Sequence, residues 1–216
     1  MSSLNEFNTS PVAESRWIYI NDPVAFSNGE FKSRGVAHSD PGATYSISHV
    51  YDLDDPQHAA FIDHIKELEE LAFEQAKSER KNKGKSLKFV SSIKELSGED
   101  AGKVLVKFKT KAASASGDPK SIALYDSSNP PRPIKDRPRL GNGSKTSVVF
   151  NPIQTQFNSS IYLSLFLIGV QVVELSEFKS GIGFSAQNGG FTSSSEESSS
   201  DNLASLIEKS SDNPAY

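Results

Sequence analysis

The alternation of apolar and polar residues predicts a chain built mainly of β-strands. Runs rich in β-branched and aromatic residues predict strands at 16–20, 43–51, 103–111, 121–126, 146–150 and 161–175. Gly169 interrupts the last run and predicts a bulge or bend. The stretch 21–42 contains several prolines and glycines and is therefore predicted to be loop and turn.

One segment has helical periodicity instead. Asp55 is a suitable N-cap, and Pro56 follows at the position where a missing N–H is harmless. Apolar residues then recur at steps of three and four: Phe61, Ile65, Leu68, Ala72 and Ala76. The spacing predicts a helix from Pro56 to about Arg80, with one face on a core. A single long helix among strands favours a small barrel with one helix attached.

The strand at 103–111 has two unlike faces. Val104, Val106 and Phe108 share one face, and the opposite face carries Lys103, Leu105, Lys107, Lys109 and Lys111. Two interpretations are open. The lysines form a solvated face or protect an edge strand against aggregation, or they lie along a phosphate backbone.

Composition and charge sharpen this choice. The 216 residues include no cysteine, which excludes disulfides and thiolate chemistry, and the net charge is −4. Residues 77–145 hold 17 basic and 7 acidic side chains, whereas residues 1–76 hold 4 and 13. Such an uneven distribution of charge along the chain is typical of a protein that binds a polyanion. Surface charge that balances in three dimensions is the alternative.

Catalytic and metal-binding patterns are weak. The turn 141–146 lacks the spacing of a phosphate loop. His58 and His64 lie on different faces of the helix, and the aspartates at 52–55 lack the rest of a calcium loop. No nucleophile or carboxylate cluster stands out. We therefore expect a protein that is not an enzyme, with no catalytic residues, metal or cofactor.

Binding signals are stronger than catalytic ones. Single-stranded nucleic acid needs cations for its phosphates and aromatic faces for its bases. The candidates for phosphate contacts are Lys83, Lys85, Lys88, Lys107, Lys109, Lys111 and Lys145. The candidates for stacking are Trp17, Phe89 and Phe157, of which Trp17 also suits a core position and Phe157 lies in a predicted hairpin loop.

The chain is predicted to divide into a folded domain at 1–184 and a flexible, serine-rich acidic tail at 185–216. Leu203, Leu206 and Ile207 in that tail could form a short helix on meeting a partner. No signal peptide is evident, and the longest apolar stretch is too short to span a bilayer. These features predict a soluble, intracellular protein with no membrane partner.

The order of these features resembles the single-stranded DNA-binding proteins of short-tailed, T-seven-type phages, over about residues 16–178. The matching features, in chain order, are Tyr19-Ile20, Arg34-Gly35-Val36, Asp55-Pro56, Gly84-Lys85-Ser86-Leu87-Lys88, Lys107-Phe108-Lys109, the turn 141–145 and Val173-Glu174-Leu175.

The resemblance implies a five-stranded OB-fold barrel with one capping helix, a homodimer, and work in phage DNA replication and recombination in the host cytoplasm. It also implies that the tail contacts the phage polymerase and helicase-primase and competes with DNA. The tail residues concerned are Glu196, Glu197, Asp201, Glu208, Asp212 and the terminal Tyr216. Tyr216 stands where the family has phenylalanine, and this tail is less acidic and richer in serine.

We therefore expect a non-catalytic protein that coats and protects single-stranded DNA. Two alternatives stay open on the sequence. One is a β-barrel interaction or virion-associated module whose basic face binds an acidic protein. The other is a nuclease or recombination enzyme, against which the lack of clustered carboxylates counts.

Overall fold

The computed structural model describes residues 3–27, 30–33 and 35–176. It contains one α-helix, two short 3-10 helices at Arg80–Asn82 and Gly98–Asp100, and ten strands. In chain order the elements are β1 (Asn8–Thr9), β2 (Ala13–Ser27), β3 (Glu30–Lys32), β4 (Thr44–Asp52), α1 (Pro56–Ser78), β5 (Lys88–Val90), β6 (Ile93–Glu95), β7 (Lys103–Lys111), β8 (Ala123–Tyr125), β9 (Lys145–Phe157) and β10 (Ser160–Glu174).

Five strands pair in a closed circuit. The order β9, β10, β7, β4, β2 returns to β9, because Ala13 pairs with Thr146 and Glu14 pairs with Lys145. Closure removes exposed sheet edges from the body of the protein. The prediction of a mainly β fold with one helix is confirmed, and the circuit has the strand number of the predicted OB-fold barrel.

The prediction for the stretch 21–42 is partly wrong. Strand β2 continues to Ser27 and forms a hairpin with β3. The register of β2 against β4 shifts between Tyr19 and Val24, so buried Pro23 falls in an irregular part of the ladder. Proline is tolerated at such a position because no ladder hydrogen bond is required of it. Strand β9 is also longer than the predicted 146–150.

The predicted helix is confirmed. The Asp55 carboxylate accepts hydrogen bonds from the backbone N–H groups of Gln57 (2.8 Å) and His58 (3.2 Å). The five residues of the predicted apolar stripe are all buried, and Ile62 joins them in the core. The helix packs on β4, β9 and β10, so it covers one side of the barrel.

Strand β10 organises the sheet. One of its edges pairs with β9, and the other edge is shared in turn by β5, β7 and β8, all parallel to it. The register shifts between Leu167 and Gly169, which confirms the predicted bulge. A Cβ at Gly169 would stand 3.5 Å from the carbonyl oxygen of Ala123, an ordinary van der Waals distance, so β8 packs directly against β10 at this position.

A buried polar network lies inside the barrel. His49 is fully buried, with Nδ1 3.0 Å from the Tyr51 hydroxyl and Nε2 2.8 Å from the Thr146 hydroxyl. The Thr146 oxygen also lies 2.7 Å from the Ser15 hydroxyl. Burial, with a smaller effect of the neighbouring His58, lowers the pKa of His49 from 6.5 to about 3. His49 is therefore neutral in the folded protein at physiological pH.

This low pKa predicts acid sensitivity. In the unfolded chain His49 takes up a proton below pH 6.5, whereas the folded protein resists protonation until about pH 3. Because the unfolded state binds more protons in that window, the free energy of unfolding should decrease as the pH is lowered, by up to about 1.4 kcal/mol per pH unit. Chemical denaturation at pH 7, 6 and 5 measures this slope.

A His49→Gln variant is the control for the acid sensitivity. Its slope between pH 6.5 and 5 should be shallower than that of the wild type, whatever its absolute stability. Equal slopes would contradict the assignment, and so would an NMR signal assigned to the His49 imidazole that titrates near pH 6.5 in the folded wild type.

Candidate nucleic-acid interface

The lysine-bearing face of β7 points to solvent. Val104, Val106 and Phe108 are buried, as the alternation predicts, while the opposite face is open. Exposed residues on that face are Lys107, Lys109 and Lys111. Within the part of the chain that the structure describes, none of these three ammonium groups has a carboxylate within 4.0 Å. Lys103 differs, because it pairs with Asp100 at 3.3 Å.

A cleft of about 450 Å³ opens beside these lysines. Strands β7 and β10 form one backbone pair, at Lys109 and Phe166, and β5 takes over the same edge of β10 at Ser160. The space at this change of partner is lined by Val90, Ser91, Ser92, Lys107, Lys109, Thr155, Phe157, Tyr162 and Leu163 to Leu165. Cations and aromatic rings therefore share one concave surface.

Phe157 is the most exposed aromatic residue of the cleft. It ends β9 at the tight turn into β10, where Asn158 takes a positive φ of 54°. The residue is 70% exposed, so its ring is accessible to a ligand in the cleft. The predicted position of Phe157 in a hairpin and away from the core is thus what the structure has.

The basic loop after α1 is fastened to the same hairpin. The side-chain amides of Asn82 and Gln156 exchange two hydrogen bonds, of 3.1 and 2.9 Å. The backbone N–H of Lys88 donates to the carbonyl of Ser159 at 2.9 Å. These bonds hold the loop against the hairpin, and three lysines of the loop are exposed: Lys83, Lys85 and Lys88.

A buried carboxylate holds the wall of the cleft that Ser91 and Ser92 form. Glu69 of α1 accepts hydrogen bonds from the Ser92 backbone N–H (2.6 Å) and from the hydroxyls of Ser91 and Ser92 (3.0 and 2.7 Å). Only 7% of Glu69 is exposed. The two serines of the wall are therefore held by the helix, and the cleft is a feature of the folded core.

The electrostatics of the cleft favour an anion. Partial desolvation, together with the charge of Lys109, lowers the pKa of Lys107. Two like charges on one strand face repel each other, and no carboxylate of the described chain lies within 4.0 Å of either ammonium. A phosphate between them would relieve that repulsion.

Three candidates lie elsewhere. Trp17 is 48% exposed, with a positive φ of 49°, and its backbone N–H donates to Asn142 at 3.0 Å. Phe89 packs edge-on against Phe73 of the helix, at 5.8 Å between ring centroids. Lys145 begins β9, whose other end carries Phe157.

The pairing partners of Lys145 in the sheet are both acidic, namely Glu14 and Glu174. The structure therefore does not bring Trp17, Phe89 or Lys145 to the cleft. The candidate tail residues Glu196, Glu197, Asp201, Glu208, Asp212 and Tyr216 lie outside the described residues.

Other aromatic residues of this face were not singled out from the sequence. Tyr162 lines the cleft, and its alternation with Ile161 and Leu163 along the strand would have placed it there. Tyr19 contacts the exposed Phe31 ring at 5.6 Å. Tyr19 pairs through Ser46 with Lys109, so it shares the outer face with the lysines. The loop prediction for 21–42 hid Phe31, whereas Tyr19 lies in the strand predicted at 16–20.

Within the described ranges 3–27, 30–33 and 35–176, no group of three or more histidine or acidic side chains is arranged to hold a metal ion. No helix there is long and apolar enough to cross a membrane.

Solved structures share this fold. Over 82% of this chain and 94% of the other, it matches gp2.5, a single-stranded DNA-binding protein encoded by bacteriophage T7, with a TM-score of 0.60 and 22% identity. The single-stranded DNA-binding protein of bacteriophage Enc34, in complex with single-stranded DNA, matches with a TM-score of 0.55 and 13% identity over 80% of this chain and 89% of that one.

No protein-family model matches the sequence, and no curated protein sequence matches it. The resemblance to phage single-stranded DNA-binding proteins is confirmed as a likeness of fold.

Proposed function

We propose that this chain binds single-stranded DNA in the cleft between β7 and the β9–β10 hairpin, without catalysis and without strong sequence preference. The observation that carries the proposal is the position of Lys107 and Lys109, which have no carboxylate within 4.0 Å among the described residues, in one cleft with the exposed Phe157. The shared fold with gp2.5 and the Enc34 protein supports it.

The chemistry of the cleft suits a single strand better than a duplex. Lysines supply charge along a phosphate backbone, and each base stacked on an aromatic ring contributes roughly 1–3 kcal/mol. In a duplex the base faces are already stacked, so Phe157 and Tyr162 would have no free base face to contact. Every base has such a face, and sequence preference is therefore expected to be weak.

The wider surface follows from the same geometry. The phosphate contacts proposed from the structure are Lys83, Lys85, Lys88, Lys107, Lys109 and Lys111, and the stacking residues are Phe157 and Tyr162. Trp17, Phe89 and Lys145 are left out, because the structure places them away from the cleft.

A titration of fluorescently labelled oligo-dT with the full chain tests the proposal. We expect saturable binding to oligo-dT and much weaker binding to a duplex of equal length. Equal affinity for both, or no binding to either, would overturn it. Binding of the basic face to an acidic protein would then be the alternative to pursue.

Salt dependence gives a second prediction. If about five phosphates are neutralised, the logarithm of the affinity should fall against the logarithm of salt concentration with a slope near −3 to −4, at about 0.7 per contact. Lys109→Gln should reduce the magnitude of that slope by about 0.7. Lys66→Gln, on the exposed side of the helix, should not change it. A slope near zero in the wild type would contradict the proposed phosphate contacts of the cleft.

We further propose that the chain works in phage DNA replication and recombination as a homodimer. In this proposal the acidic tail recruits the polymerase and the helicase-primase and competes with DNA. Residues 185–216 carry a net charge of −4, which gives the tail the sign of a phosphate backbone.

Deleting residues 192–216 tests the role of the tail. The deletion should raise the affinity for oligo-dT severalfold, because a tethered anionic competitor is removed, and it should abolish recruitment of the replication proteins. A full-length chain with the five tail acids changed to amides is the matched control and should behave alike for DNA. Unchanged affinity and unchanged recruitment would remove this part of the proposal.

A further inference from the structure

Phe166 is another aromatic residue on the outer face, and the ammonium of Lys120 lies above its ring. The ammonium of Lys120 lies 5.4 Å from the ring centroid of Phe166, within the range of a cation–π contact. Phe166 belongs to β10 and pairs with Lys109 of β7. Because register partners in a sheet point to the same face, the Phe166 ring and the Lys109 ammonium lie on one surface.

The main chain of Lys120 is held firmly while its charge is not. Its backbone N–H donates to Ala112 at 2.8 Å, and its carbonyl accepts from the buried Tyr45 hydroxyl at 3.0 Å. In the described part of the chain no carboxylate lies within 4.0 Å of the Lys120 ammonium. The ammonium can therefore turn towards an anion without moving the backbone.

The helix provides a contrasting pair. Lys77 also stands over a ring, that of Phe73, at 4.3 Å. There the ammonium is paired with Glu74 at 2.6 Å, and the Phe73 ring packs against Phe89. On the helix, the Lys77 ammonium and the Phe73 ring thus each have a partner. For the Lys120 and Phe166 pair, the described residues supply no such carboxylate.

An unpartnered acceptor accompanies the Phe166 ring. Asn151 of β9 is the register partner of Phe166 on the other side, and its Oδ1 is buried with no hydrogen-bond donor among the described residues. Because that oxygen is buried, the ring and the ammonium are the two groups that a nucleotide would use here, through its base face and its phosphate.

We propose that Phe166 and Lys120 form a second station for a nucleotide, where a base stacks on the Phe166 ring and the Lys120 ammonium moves to its phosphate. The inference rests on the proposed binding of single-stranded DNA, and it extends the path of the bound strand beyond the cleft. Along β10, Phe166 lies six residues beyond Ser160, the partner of Phe157. At ~3.3 Å per residue the two stations are about 20 Å apart, so they hold different nucleotides of one strand.

Titration of the full chain with labelled dT16 tests the second station, since that length reaches the upper end of site sizes for OB folds. Phe166→Leu should lower the affinity about tenfold while keeping an apolar side chain at this half-buried position. Lys120→Gln should lower it about fivefold at 0.1 M salt and reduce the salt slope by about 0.7, and Lys120→Arg should restore both.

The matched control is Lys77→Gln, which removes the same charge from the other cation–π pair and should leave the affinity and the slope unchanged. Thermal unfolding checks that the Phe166→Leu variant is folded; if it is not, the salt slope of Lys120→Gln still decides. Wild-type affinity and slope in Lys120→Gln, with Phe157→Ala impaired, would overturn the second station and leave the cleft intact. Failure of the wild type to bind dT16 would instead overturn the proposed function.

Discussion

Changing both Lys107 and Lys109 to glutamate is expected to lower the affinity for oligo-dT about 600-fold at 0.1 M salt. Each phosphate contact contributes about 0.7 to the salt slope, which corresponds to roughly a fivefold change in affinity per charge at that concentration. The double reversal changes four units of charge, and neither lysine has a carboxylate partner in the described chain to mask the effect. Fluorescence anisotropy with a labelled oligonucleotide measures the loss.

The matched control is the double reversal of Lys66 and Lys77. It changes the net charge of the protein by the same amount, but on the exposed side of the helix, where both lysines pair with acidic neighbours. Charges further away than about 10 Å are largely screened at 0.1 M salt. Equal losses in the two double variants would mean that net charge, and not the cleft, governs binding.

Replacing Phe157 by alanine is expected to weaken oligo-dT binding by about 5- to 150-fold, the equivalent of roughly 1–3 kcal/mol for one stacked base. The ring is 70% exposed, so its removal should change the free energy of unfolding by no more than about 0.5 kcal/mol. The salt slope should stay as in the wild type, because no charge is lost. Titrations at several salt concentrations separate the two effects.

Phe7 is the control for the Phe157 variant. It is similarly exposed, at 73%, and is followed by Asn8, which contacts His64 on the helix. Phe7→Ala should therefore bind oligo-dT like the wild type. Wild-type affinity in Phe157→Ala would refute stacking at the hairpin, and a loss in both variants would indicate general surface hydrophobicity.

The parts of the site that could be predicted from the sequence are those decided by local pattern. The alternation along 103–111 placed Lys107 and Lys109 on one face, because a strand has a period of two whatever it pairs with. The polar neighbours of Phe157 likewise indicated a turn. Capping by Asp55 and the apolar stripe were enough to place the helix.

The cleft itself depends on contacts distant in sequence. It exists because β10 changes its partner from β5 to β7, and the hydrogen bonds of Glu69 to Ser91 and Ser92 cross about twenty residues. Composition could not separate Phe89 from Phe157, since only packing against Phe73 does so. The hairpin of β2 and β3 could not be predicted, because Pro23 argues against a strand at this point of the sequence. The proline is accommodated by a register shift in the pairing of β2 with β4, which is a contact distant in sequence.

The most direct test of the account is photochemical cross-linking of the full chain to an oligo-dT in which thymines are replaced by 5-iodo-deoxyuridine, followed by peptide mapping. Aromatic rings in contact with bases are the residues that should react. We expect cross-links at Phe157 or Tyr162, lost on competition with unlabelled oligo-dT. Cross-links confined to residues outside 88–111 and 151–168, from a protein that does bind the oligonucleotide, would contradict the claim that this cleft is the site of binding.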